Sequence, residues 1–109
     1  MQEPLAILTV NNISVPYQAV ADFCRRHRIR ELSLFGSVLR DDFTDQSDID
    51  VLIEPESGHE RTLDGVLSMQ EELEATLGRR VDLVYKDLLN KYIREEVLRT
   101  RKVIYVVSQ

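Results

Sequence analysis

Four short runs rich in β-branched and aromatic residues punctuate this chain: "LSLF" (Leu32–Phe35), "SDIDVLIE" (Ser47–Glu54), "RVDLVY" (Arg80–Tyr85) and "KVIYVV" (Lys102–Val107). Between them lie segments with helical periodicity, and this alternation constrains the fold more than any other feature. Strands and helices that follow one another must bury their apolar faces together, which predicts an α/β domain with helices packed on a sheet. Ser14 can cap a first helix whose early turn tolerates Pro16, with Val20, Phe23, Cys24 and His27 at helical spacing. Phe23 and Cys24 read as core, and His27 as a cap or surface residue. "TLDGVLSMQEELEATLG" (Thr62–Gly78) predicts a second helix with Leu63, Val66, Leu67, Leu73 and Leu77 on one side and Gly78 just past its end. "DLLNKYIREEVLRT" (Asp87–Thr100) predicts a third, with Leu89, Tyr92, Ile93 and Val97 facing inward. Residues 1–13 signal only a loose arm or a short extra element. No repeat, linker or low-complexity segment interrupts the chain, so residues 1–109 read as a single domain.

Charge and composition exclude several functions. No apolar run approaches the roughly 20 residues that cross a bilayer, so no membrane association is expected. The start, "MQEPLAILTVNN", lacks the basic region and cleavage site of a signal peptide. Cys24 is the only cysteine, so no internal disulfide can form, which points to a reducing, cytoplasmic setting. A net charge of −5 disfavours stable nucleic-acid binding, which rests on clustered Lys and Arg. Two basic islands, Cys24–Arg30 and Leu98–Lys102, read first as solvated helix ends and second as contacts for an anionic partner.

The carboxylates carry the chemistry. In a strand, Asp48 and Asp50 point the same way while Ile49 and Val51 point the other, with their Cα atoms about 6.5–7 Å apart. Asp82, between Val81 and Leu83, joins them if the third strand lies beside the second. Aspartate is depleted from strands, and three clustered carboxylates cannot all stay ionised without compensation. An all-oxygen, highly charged donor set favours Mg²⁺ or Mn²⁺ over zinc. Ahead of them, Gly36 permits a close backbone approach, Ser37 offers a hydroxyl, and "SVLRD" can open a short helix towards an anion. Strand, Gly-Ser turn, helix start and a strand with paired aspartates together suggest a metal-bound nucleotide triphosphate. Asp41, Asp42 and Asp45 read as loop residues. Arg40 either orients a phosphate or pairs with its acidic neighbours. A Gly-Ser pair or a lone D-x-D is also common on solvated loops, and the third aspartate argues against that plainer reading.

These residues resemble a known superfamily. "GSVLR…SDIDVLI" is similar to the signature of the polymerase-β-like nucleotidyltransferases, and "RRVDLVY" to the segment with their third carboxylate. The short length and the ending "REEVLRTRKVIYV" resemble the minimal nucleotidyltransferases, MntA-type antitoxins encoded beside HEPN-domain toxins. This chain carries Leu39 and Asp41 where that family favours small residues. The resemblance implies a small α+β nucleotidyltransferase fold with a mixed sheet of about four strands. It implies that Gly36 and Ser37 hold the triphosphate of ATP, with Arg40 and Ser47 as further nucleotide-binding candidates. Asp48, Asp50 and Asp82 would bind two Mg²⁺ ions, Asp82 also helping to deprotonate the attacking hydroxyl. Since this catalytic core accounts for the chain, the acceptor is expected on another molecule. The implied reaction is AMP transfer to a tyrosine hydroxyl of a HEPN-type toxin. The alternatives are a binding module that silences its partner by covering it, and a small-molecule nucleotidyltransferase. The apolar residues of Tyr92–Val97 and Leu5–Val10 serve either the chain's own core, a homodimer or a partner interface.

Overall fold

The computed structural model describes residues 7–58 and 60–107. Residues 7–13, expected as a loose arm or a short extra element, are the latter, and together with residues 14–16, where a Ser14-capped helix was expected to begin, they form a hairpin. Strands β1 (Ile7–Val10) and β2 (Ile13–Pro16) pair antiparallel, with Val10 opposite Ile13. The turn between them is Asn11-Asn12, both at positive φ (49° and 70°). Asparagine tolerates that left-handed region, and two such residues make the tight turn whose twist suits a hairpin. Ser14 lies opposite Thr9 in the ladder and caps nothing. Helix α1 (Tyr17–Arg26) begins after an extended Pro16 that supplies no side-chain cap. Residues 1–6 of the expected arm lie outside the described residues.

The remaining strands are β3 (Ile29–Phe35), β4 (Ile49–Pro55), β5 (Val81–Tyr85) and β6 (Lys102–Val106). They form one sheet in the order β5-β4-β3-β6, with β4–β5 parallel and the other pairings antiparallel. The mixed four-stranded sheet is therefore as expected. Parallel neighbours need a crossover, and helix α2 (Leu63–Leu77) provides it. Thr62 caps α2 by accepting the Gly65 N–H at 3.0 Å, and Gly78 ends it at φ 71°, the left-handed position expected of it.

Helices α1 and α2 and the hairpin cover one face of the sheet. Val15, Val20, Phe23, Leu73 and Met69 are buried there against Leu32, Leu34, Ile49, Val51 and Ile53. The face of α2 is rotated from the expected one: Val66, Met69, Leu73 and Leu77 meet the core at steps of three and four, leaving Leu63 and Leu67 exposed. Helix α3 (Lys91–Thr100) lies against Phe35 and Leu52 on the other face. It starts four residues later than expected, because Lys86–Leu88 turns as a 3-10 helix and the Asn90 side chain caps α3 through the Tyr92 N–H at 2.8 Å. That break aims Leu89 and Val97 inward but leaves Tyr92 84% and Ile93 47% exposed, contrary to their assignment to the core. The first basic island is a helix end, as its plainer reading held. His27 is the C-cap of α1, and both Arg26 and His27 pair with Glu72 of α2, tying the two helices together.

Candidate functional site

Strand β3 delivers the chain to Gly36 at φ 76°, a region that favours glycine. A Cβ at this position would stand 2.2 Å from Asp50 Oδ2, so the backbone lies directly on that carboxylate. Residues Gly36–Leu39 then make a single 3-10 turn, shorter than the expected helix, closed by the Arg40 N–H donating to the Ser37 carbonyl at 2.9 Å. Val38 is fully buried and anchors the turn, while Leu39 packs against the main core, which absorbs its bulk. Ser37 is half-buried. Arg40 is exposed and its Nε donates to Asp42 at 3.1 Å, while its carbonyl accepts from Asn11 Nδ2 at 2.8 Å, so the hairpin turn steadies this loop.

Asp41, Asp42 and Asp45 are exposed loop residues, as expected. Ser47 is used locally: its Oγ accepts the Thr44 N–H at 3.0 Å, closing the turn that leads into β4. Asp48 sits one residue before β4 rather than within it, and the Ile49 N–H donates to the Arg80 carbonyl at 2.9 Å. Ile49 and Val51 point into the main core, while Asp50 follows Leu52 and Phe35 towards the α3 face. Across the parallel pair, Asp50 lies in register with Asp82. Asp82 is exposed on β5, an edge strand, and Asp50 is half-buried.

Burial pushes the Asp50 carboxyl above the ordinary aspartate range, the charges of Asp82 and then Asp48 add to this, and Arg40 opposes it. A positive charge at this place would relieve the repulsion. Among the described residues, no three acidic, histidine or cysteine side chains are gathered tightly enough to grip an ion as they stand. Asp48 is turned aside to Arg80, whose Nε is 3.1 Å away. The oxygen-only donors of Asp48, Asp50 and Asp82 fit a hard divalent cation in kind and charge. Beside them, Gly36, Leu39 and Arg40 face Glu96 and Thr100 of α3 across a cavity of about 300 Å³.

Two residues carry more of this architecture than their sequence suggested. Arg79 donates to the carbonyls of Thr44, at 2.8 Å, and Ser47, and its guanidinium lies 4.7 Å from the centre of the Phe43 ring. Arg80 holds Asp48. The only signal was two adjacent cations directly before the third aspartate strand.

The profile of the nucleotidyltransferase domain family matches residues 17–104, from α1 into β6 and across every carboxylate named above. The chain belongs to that family. This nucleotidyltransferase is 37% identical over 103 residues to the protein adenylyltransferase MntA of Thermococcus cleftensis, a match covering 94% of this chain and 100% of the relative. Its fold matches a solved minimal nucleotidyltransferase at a TM-score of 0.64 and 38% identity, over 83% of this chain and 88% of that one. It also matches a chain of a structure of tri-AMPylated Shewanella oneidensis HEPN toxin in complex with MNT antitoxin. There the TM-score is 0.60 at 18% identity, over 84% and 70% of the two chains.

Proposed function

We propose that this nucleotidyltransferase moves AMP from ATP to a hydroxyl, a tyrosine's by preference, of a HEPN-type partner protein and so acts as its antitoxin. The observation that carries the reading is the register of Asp50 with Asp82 directly under the Gly36 turn. The protein acceptor follows from the likeness to MntA across that relative's full length.

In this reading the amides of the Gly36–Ser37 turn and the Ser37 hydroxyl hold the triphosphate, since a single 3-10 turn has too little dipole to do so alone. Arg40 leaves its exposed pair with Asp42 to meet a phosphate, and Ser47 shapes the approach to Asp48 through its Thr44 contact. Two Mg²⁺ ions held by Asp48, Asp50 and Asp82, with Mn²⁺ as substitute, would acidify the acceptor hydroxyl and neutralise the departing pyrophosphate. The acceptor oxygen forms a bond to the α-phosphorus, the bond from that phosphorus to the pyrophosphate oxygen breaks, and the hydroxyl proton passes to Asp82 and on to water. Asp82 suits that role because it is exposed on an edge strand and, unlike the exposed Asp48, is not paired with Arg80. A lone cysteine fits the cytoplasm, where ATP is at hand.

The test is intact mass spectrometry of the chain, ATP, Mg²⁺ and a HEPN-domain protein encoded beside it, with Asp48→Asn run in parallel. One or more AMP units on the partner, absent with the variant, is the expected result. A stable complex with no mass gain in either case would make the chain a binding module instead.

A further inference from the structure

Arg80 stands where a cation is wanted. Besides its contact with Asp48, one of its terminal nitrogens donates to the Gln46 carbonyl at 3.4 Å. Its neighbour Arg79 grips the same loop by other atoms, the carbonyls of Thr44 and Ser47 and the face of Phe43. The two arginines therefore divide the work: Arg79 fixes the backbone of the loop, and Arg80 occupies the carboxylate. Arg80 can let go without the loop losing its main anchor.

The geometry points to Arg80 as an ionic latch on Asp48, a guanidinium that must be exchanged for a divalent cation before this carboxylate can act as a ligand. The inference rests on the reading of Asp48 as a metal ligand. Without such a counter-charge, Asp48 would add its full repulsion to the pair of Asp50 and Asp82. With it, the free protein tolerates three neighbouring carboxylates but presents no closed ion cage among its described residues. The latch is weak by construction, because the side chains of Arg80 and Asp48 are 73% and 47% exposed. A desolvated pair here would shut the ion out, whereas an exposed pair yields to a doubly charged competitor.

The test is Mn²⁺ binding to the nucleotide-free full chain, followed by the electron paramagnetic resonance signal of free Mn²⁺ at low salt. Arg80→Gln is expected to tighten Mn²⁺ binding by about 1.5- to 5-fold, the range spanned by losing one exposed ion pair. Arg80→Lys, which keeps the charge, should change it less. In an Asp48→Asn background the gain from Arg80→Gln should disappear, because no carboxylate is left to compete for. Equal or weaker binding by Arg80→Gln overturns the latch. So does an equal gain in both backgrounds, which would mark a general field effect. Failure of the wild type to bind Mn²⁺ would overturn the latch and the metal-site reading together, whereas binding that Arg80→Gln leaves unchanged overturns the latch alone.

Discussion

Replacing Asp50 by Asn should remove activity and yet make the free protein more stable. Asp50 faces Asp82 in register on the adjacent strand, and neighbouring strands are about 4.8 Å apart. Two unit charges about 5 Å apart repel by ~0.8 kcal/mol in water and by ~3 kcal/mol at an effective dielectric constant near 20. Asp82 is exposed, which favours the lower figure, and Arg40 offsets part of the repulsion. Half-burial of the Asp50 charge adds back a similar amount. The net gain on neutralising Asp50 should be about 1 kcal/mol, or about 4–6 °C in melting temperature for a domain of this size.

The pH dependence fixes the sign. Burial and the two acidic neighbours raise the Asp50 carboxyl above its unfolded value, so the native state disfavours the ionised form. The wild type loses stability as pH rises through that raised value and recovers it as pH falls below the ordinary aspartate range. Melting followed by circular dichroism in EDTA should show Asp50→Asn ahead at pH 7.5, with the gap closing towards pH 4. Saturating Mn²⁺ should raise the wild type and leave the variant behind. A variant that melts at or below the wild type at pH 7.5 would refute the reasoning, because Asp50 would then be a structurally satisfied carboxylate rather than one poised for a cation.

Two further outcomes follow from contacts elsewhere. Gly36→Ala should cost about 1–2 kcal/mol in urea unfolding from its left-handed backbone, and should also weaken Mn²⁺ binding, since the new Cβ meets Asp50 Oδ2 at 2.2 Å; unchanged Mn²⁺ affinity would show that the carboxylate has room to retreat. Glu72→Gln should lower stability by about 0.5–1 kcal/mol at pH 7, because Arg26, and after it His27, hold the Glu72 carboxyl below the usual glutamate range. That contribution is present above the unfolded value and is lost as pH falls through the lowered one. The gap should therefore narrow in urea titrations as pH falls below the ordinary glutamate range, and a gap that does not narrow as pH falls there would contradict the assignment.

The site was legible where local pattern and tertiary role coincide. Ile49–Ile53 and Val81–Tyr85 are apolar enough that an aspartate in either stands out, and their parallel pairing then brings Asp50 and Asp82 together. The hairpin was harder to see, because Ile7, Leu8 and Val10 alternate only briefly and the turn uses Asn-Asn without glycine. In α3 the cap Asn90 lies inside an unbroken helical periodicity, so the break there, and with it the exposure of Tyr92, depends on how the helix lands on Phe35 and Leu52. Arg79 and Arg80 act through carbonyls and side chains up to 35 residues away in sequence, as in the contact of Arg79 with Thr44. Such partners have no signature in a single sequence.

The place of Asp82 on the rim of the sheet bears on selectivity. A carboxylate at an edge strand can be reached by a hydroxyl that projects from a folded surface, without threading a segment into a cleft. Water has the same freedom of approach, and under the proposed function it would compete in the unpartnered protein as a nucleophile for the same phosphorus. Among the described residues no further strand lies beyond β5, so under the proposed function exclusion of solvent on that side would fall to the acceptor protein. The arriving substrate would then close the reaction chamber, and selection of the acceptor and protection of ATP from hydrolysis would become one event.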